Sequence, residues 1–220
     1  MMYLISPMES HPDRGFGIVA MQFYDLARKA VPAKGTLEHL PVNFLYRHSC
    51  ELYLKSLIIL LRTAFSSVKS TPEEMVDQIS REHSIEKLFK ELQDIYIANK
   101  PRVDELTEVD WKPAESLEVA VRTIVGYDDG STYFRYPISR DKQKDKKKDH
   151  SKEIKPEKLS SMGNDKPGMF TVLLNQNEEV VKVYQSGLSQ DERVTESLAE
   201  VSEYLHCFHI AVRMRFFDGK

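Results

Sequence analysis

Arg47, His48, Glu51 and Lys55 fall within nine residues of one another, in a leucine-filled stretch reading FLYRHSCELYLKSLIILL. An arginine or lysine holds a phosphate, a histidine moves a proton near neutral pH, and a carboxylate can fix the ring that does so. His83 and Arg135 are further candidates of these types. Arg47, His48, Glu51 and His83 are therefore the candidate catalytic set: a group to take a proton and a cation to hold a phosphate. The plainer reading is that Arg47, Glu51 and Lys55, at i, i+4 and i+8, form a charged ladder along one helix face. Such a ladder is worth only about 0.2–0.5 kcal/mol per pair, so Arg47→Ala should then cost well under about 1 kcal/mol. His48 and His83 would be capping or packing residues.

Tyr133, Phe134, Arg135 and Tyr136 form an aromatic and basic cluster that could stack a base and meet a phosphate. Lys55, Arg135 and Tyr136 are accordingly the candidate nucleic-acid contacts, against the alternative that the cluster is the edge of a core. His206 and His209 have a helical metal-pair spacing but no third ligand nearby in sequence, so they read as interfacial or core-edge histidines. No metal site and no cofactor are expected. The sequence contains no GxxxxGK[ST], GxGxxG, CxxC, HExxH or GxSxG, which leaves P-loop, dinucleotide, structural zinc and nucleophile-elbow chemistry without support.

Helices must position these residues. The stretch from about 41 to 65 has no glycine and no proline after Pro41, and its second half is apolar around most of its circumference, as a helix at the centre of a bundle should be. Phe16 to Ala30 has helical apolar spacing, with Pro32 and Gly35 to end it. Thr71, Pro72 and Glu74 form a capping box that opens a short helix. A further helix begins at His83 and is expected to close at Asn99-Lys100-Pro101, and another spans Pro113 to Ile124. From Gly126 the chain reads as a loop leading into a short extended segment.

Met169–Leu174 and Val180–Tyr184 have the composition of two strands around Asn175-Gln176-Asn177, with a helical reading nearly as good. Ser189 and Glu192 form a second capping box. Val194, Leu198, Val201, Leu205, Phe208 and Val212 then recur at steps of four and three, the 3.5-residue period of a long packed helix. The fold class expected is mainly α: a helical bundle with a long central helix, a long C-terminal helix and a small β-hairpin.

The 220 residues fit one domain, 1–220, and 41% hydrophobic content supplies its core. Net charge is −3, so the whole chain does not seize nucleic acid by charge alone. Residues 139–166 hold ten Lys or Arg and six Asp or Glu, a net +4 that leaves −7 on the remaining 21 basic and 28 acidic residues. That segment lacks the apolar surface to offset its ordering entropy and reads as a lysine-rich mobile insertion at about 139–167. Cys50 and Cys207 lie in apolar helical stretches and read as buried reduced thiols. MMYLISPMESHPDRG lacks the pattern of a signal peptide, and no apolar run is long enough to span a bilayer. A cytoplasmic protein without membrane contact is expected.

RHSCELYLKSL, followed by HSIEKLFKEL and by the tetrapeptide FRYP at Phe134 to Pro137, resembles the HEPN superfamily, including its uncharacterised bacterial FRYP-containing members. The resemblance covers about 15–138 and 189–217. It implies an all-helical, often dimeric protein, and the long stripe of the last helix is the surface expected to build a homodimer. Many members are metal-independent ribonucleases of toxin–antitoxin, phage-defence and CRISPR systems; others are partners of nucleotidyltransferases. Catalytic members carry an Arg and a His with four to six residues between them. Here Leu52, Tyr53 and Leu54 stand at the expected distance after Arg47, Leu198, Ala199 and Glu200 after Arg193, and His206 precedes Arg213 in reversed order. The expectation is thus a HEPN-like nucleic-acid-associated or nucleotide-binding module without strong catalysis, its partner an RNA, a nucleotide, an antitoxin or a nucleotidyltransferase. The alternatives are an endoribonuclease with a rearranged active site and a protein-interaction or dimerisation helical module.

Overall fold

The computed structural model describes residues 7–30, 39–65, 71–106, 115–128, 130–135, 151–157, 169–186 and 189–217. Within them lie six α-helices: α1 (Phe16–Lys29), α2 (His39–Phe65), α3 (Pro72–Ile79), α4 (Ile85–Leu106), α5 (Glu115–Asp128) and α6 (Ser189–Phe216). Three strands, β1 (Ser151–Ile154), β2 (Met169–Leu174) and β3 (Val180–Ser186), form an antiparallel sheet in the order β1-β3-β2. The mainly helical bundle with a small β element is as expected. Among the described residues no helix is long and apolar enough to cross a membrane.

The axis of the bundle is α2, which packs on α1, α6 and α4. Every residue from 50 to 61 is buried, because helices approach it from several sides at once. Close approach of α1, α2 and α6 relies on small side chains: Ala20, Ala27, Ser49 and Ser202 are fully buried. Ser49 Oγ donates to the Ala20 carbonyl at 3.0 Å and lies 3.1 Å from Ser202 Oγ, so burying these hydroxyls leaves no polar debt. Val194, Leu198, Val201, Leu205 and Val212 of α6 are fully buried inside the bundle. The stripe expected to build a dimer is therefore used within one chain, and only Phe208 of it is half-buried. Cys50 is buried, its thiol pushed up by desolvation to about 12, but Cys207 is exposed, contrary to the expectation for both.

Several boundaries differ from the sequence reading. Pro101 does not close α4, which runs on to Leu106. The carbonyl that loses its bond to the missing Pro101 N–H belongs to Ile97, an exposed residue that water can reach. Val103 is buried, Arg102 donates to the Phe65 carbonyl at 3.3 Å, and its guanidinium lies over the Phe65 ring, so tertiary contacts hold the extra turn. At the other end of the chain's midpoint, α5 continues through Gly126 to Asp128, and residues 130–135 form a turn rather than an extended segment. The Thr71–Glu74 capping box is present with both bonds. Helix α6 starts at Ser189; the side chains of its expected capping box, and the residues expected to end α1, lie outside the described residues.

Most of the lysine-rich segment also lies outside them, but 151–157 does not, and Ser151–Ile154 is a strand. Ile154 stands opposite the fully buried Val183, and Lys182 pairs with Glu153 at 3.1 Å, contacts that favour order locally where composition predicts none. At the hairpin between β2 and β3, Asn175 Oδ1 accepts the N–H groups of Asn177 and Glu179, each at 2.9 Å. This asparagine bonding its own turn decides strand over helix for 169–186.

Candidate functional site

Four polar residues spaced four apart, Asn43, Arg47, Glu51 and Lys55, run along the buried face of α2, all of them 2% exposed or less. A charge in such a place has to be paired and hydrogen-bonded or it cannot stay ionised. Arg47 Nη1 donates to Glu51 Oε2 at 2.6 Å, Nη2 to the carbonyl of His83, and Nε to the carbonyl of Asp128 at 3.4 Å. The Asp128 carboxylate is 3.9 Å from Arg47 Nε. Lys55 Nζ donates to Glu51 Oε1 at 2.9 Å and to the Ser80 carbonyl at 3.1 Å. Two cations face two carboxylates, so the buried network is neutral. Burial pushes the Glu51 carboxyl up, but the bond from Lys55, the nearby Arg47 charge and the bond to His83 together hold it below its ordinary value.

The exposed ladder of the plainer sequence reading is corrected here. Helical spacing placed the three charges on one face but could not say that the face is the inner one. Lys55, a candidate nucleic-acid contact, has its ammonium spent on Glu51 and Ser80 inside the core and does not present it to solvent. Arg47 and Glu51 likewise hold the fold together from within.

His83 is different. It sits in the turn before α4, where Glu82 Oε1 accepts the N–H of His83 at 3.0 Å and of Ser84 at 2.9 Å, and Ser84 Oγ accepts that of Lys87 at 3.2 Å. Its side chain is 48% exposed, with Nδ1 2.9 Å from Glu51 Oε1. The buried carboxylate thus fixes a half-exposed imidazole through one nitrogen and leaves Nε2 as the other.

His48 lies on another side of α2, edge-on to Phe23 at 4.6 Å and parallel to Phe44 at 5.7 Å between ring centroids. Desolvation holds it below the ordinary histidine value, and among the described residues its buried Nδ1 has no hydrogen-bond partner. Arg135 is exposed, with its guanidinium 5.8 Å from the Phe44 centroid. The fold therefore brings together Arg47, Glu51, Lys55 and His83 in one group, and His48, Phe44 and Arg135 in a neighbouring one. Tyr136 lies outside the described residues.

Sequence reasoning missed Asp128, whose Oδ1 and Oδ2 accept the N–H groups of Thr132 at 2.8 Å and Phe134 at 3.3 Å. An acid before Gly130-Ser131 is a turn signal, and it shapes the turn that carries Arg135. It also missed a second buried acid, Asp13. Asp13 Oδ2 accepts from Ser56 Oγ at 2.5 Å and from Gly17 N–H at 2.8 Å, Oδ1 from Gly15 N–H at 3.2 Å, and His209 Nε2 stands 3.5 Å away. The last contact is ion-pair distance without good hydrogen-bond geometry. An acid just ahead of a helix start is the one signal that could have found it.

Burial pushes the Asp13 carboxyl up, yet its contacts with His209, Ser56 and Gly17 outweigh that and hold it well below the usual carboxylate range. A folded-state pKa below the unfolded one stabilises the fold fully above about pH 4, and that contribution is lost as pH falls further. Glu51 acts in the same sense. Denaturation midpoints of the native chain should therefore drop steeply below about pH 4, and those of Asp13→Asn should drop less. Parallel acid limbs for the two proteins would show that Asp13 is not held this way.

Among the described residues no group of three or more His, Cys, Asp or Glu side chains could hold a metal ion. No family model, no curated protein and no solved structure matches this chain.

Proposed function

We propose that this chain is a HEPN-like module that binds single-stranded RNA or a nucleotide on the rim formed by His83 and Arg135. The observation that carries the reading is the double bonding of Arg47. One guanidinium holds the carbonyl of His83 and the carbonyl of Asp128, fixing to α2 the two turns that bear the exposed imidazole and the exposed guanidinium. Arg47, Glu51 and Lys55 are the frame of this rim, and His83 and Arg135 are its contacts. Tyr133, half-buried beside Phe134 at 5.3 Å, offers an aromatic face near Arg135 for a base. The setting, a cytoplasmic bacterial defence or toxin–antitoxin system with an antitoxin or nucleotidyltransferase partner, follows from the family resemblance alone.

One observation favours a second reading, an endoribonuclease with a rearranged site. Glu51 oriented on His83 Nδ1 is the arrangement a general base needs, with Nε2 toward a 2′-hydroxyl and Arg135 toward the phosphate. Both readings are tested by titrating labelled single-stranded RNA and a nucleotide against the native chain, His83→Ala and Arg135→Ala, with a cleavage time course alongside. Arg135→Ala should weaken RNA binding about tenfold and lower the salt slope by about one, at an unchanged melting temperature. Loss of cleavage in His83→Ala would favour the enzyme. Absence of native binding to either ligand, or binding indifferent to both substitutions, would remove the proposal.

A further inference from the structure

Among the described residues the sheet ends on β2, and the sequence of β2 is not that of a protected edge. Strand edges are commonly blunted by lysine, proline or a bulge, because their outward N–H and C=O groups will pair with any extended chain. Met169–Leu174 reads MFTVLL, with no charge, proline or glycine. Its one irregularity of register lies between Leu173 and Leu174, at the hairpin end. The opposite edge, β1, does carry charges, Lys152 and Glu153, and Glu153 is paired with Lys182. Val172, Leu173 and Leu174 are exposed by 37%, 46% and 55%, and Val180 and Val181 of β3 are exposed as well.

We propose that the outer edge of β2 pairs antiparallel with β2 of a second copy of this chain, about a two-fold axis through Val172. That register sets Val172 against Val172, Thr171 against Leu173, and Phe170 against Leu174, so each contact is apolar or neutral. A strand carrying charge would bring like charges across such an axis; this one has none to oppose. A partner strand of mixed charge, by contrast, would find no counter-charge on β2. Self-pairing also extends an apolar row already begun. Val183 is fully buried with Ile154 and Val172 opposite it in its two neighbours, and joining two sheets places the Val172 pair between two such rows. The outward backbone groups of both strands then gain partners, giving a continuous sheet in the order β1-β3-β2-β2-β3-β1.

Six residues of edge fall short of the roughly 1,000 Å² that a lasting interface buries, so the dimer dissociates in the micromolar range or above. The test is light scattering of the full chain from about 1 μM to several hundred micromolar. The weight-average mass should climb from 25.5 kDa toward twice that value. Val172→Lys and Val172→Glu should each hold it at the monomer value across the range, because each opposes two like charges. Mixing the two variants in equal amounts should bring the dimer back. Val172 is over a third exposed, and a thermal melt of each variant checks that the bundle is intact. Amides 170–174 should also exchange more slowly as native concentration rises. A native chain that stays at 25.5 kDa throughout overturns the proposal, and so does a dimer whose mass neither substitution changes.

Discussion

Replacing Arg47 by methionine is expected to lower the unfolding free energy by about 3–5 kcal/mol, a large share of the stability of an ordinary domain. The side chain is fully buried and its guanidinium serves Glu51, the His83 carbonyl and the Asp128 carbonyl. Methionine matches the stem but leaves one carboxylate and two carbonyls short of a donor. The cost is that of stranding groups in the core, far above the few tenths that an exposed ladder would involve. A contrast makes the test sharp. In the triple variant Arg47→Met, Glu51→Leu, Lys55→Met three of the four charges leave together, and the fourth, on Asp128, keeps its bonds from Thr132 and Phe134. Part of the loss should return, since removing paired charges together is far less harmful than stranding one of them. Urea denaturation of the single and triple variants measures both. A single variant within about 1 kcal/mol of native would mean that this network is not buried in solution.

Gly17→Ala is expected to be the most disruptive change of its size. A Cβ there would stand 2.1 Å from His209 Nε2, 2.4 Å from its Cε1 and 2.7 Å from Asp13 Oδ2. His209 is held in the bundle and Asp13 is pinned by Ser56 and two backbone N–H groups, so neither makes room without giving up its contacts. Overpacking of this kind costs about 1–3 kcal/mol, which exceeds the roughly 1 kcal/mol that alanine gains over glycine as a helix former. Gly126→Ala is the control. It also lies inside a helix, but none of the described residues comes within 4 Å of the added Cβ, so only the gain applies and stability should rise. His209→Ala opens the space, and adding it to Gly17→Ala should cost less than it costs alone. Denaturation midpoints of the native chain and the four variants decide the matter; equal effects at Gly17 and Gly126 would show that α1 and α6 do not meet here.

The sequence by itself determined most of the helices. Apolar periodicity and the Thr71–Glu74 box are local properties, and α1, α2, α3 and α6 lie where those properties place them. It also put Arg47, Glu51 and Lys55 on one face, since four-residue spacing does so in any helix. What it could not supply was the direction of that face. Whether a charged stripe meets water or a core depends on what packs against it, and the segments that do so here, at Ser80, His83 and Asp128, come from further along the chain. Pro101 was misread for the same reason: a lost backbone bond is a local cost, and the Val103 and Arg102 contacts that outweigh it are not local. The partners of Arg47 were unreadable in a stronger sense, because two of them are backbone carbonyls, which every residue type carries alike. Only the tertiary structure separates His83, half-exposed on its carboxylate, from Arg47, Glu51 and Lys55 sealed behind it. The physical reason is that ionisation inside a protein is set by distance and burial together, and neither is a property of sequence spacing.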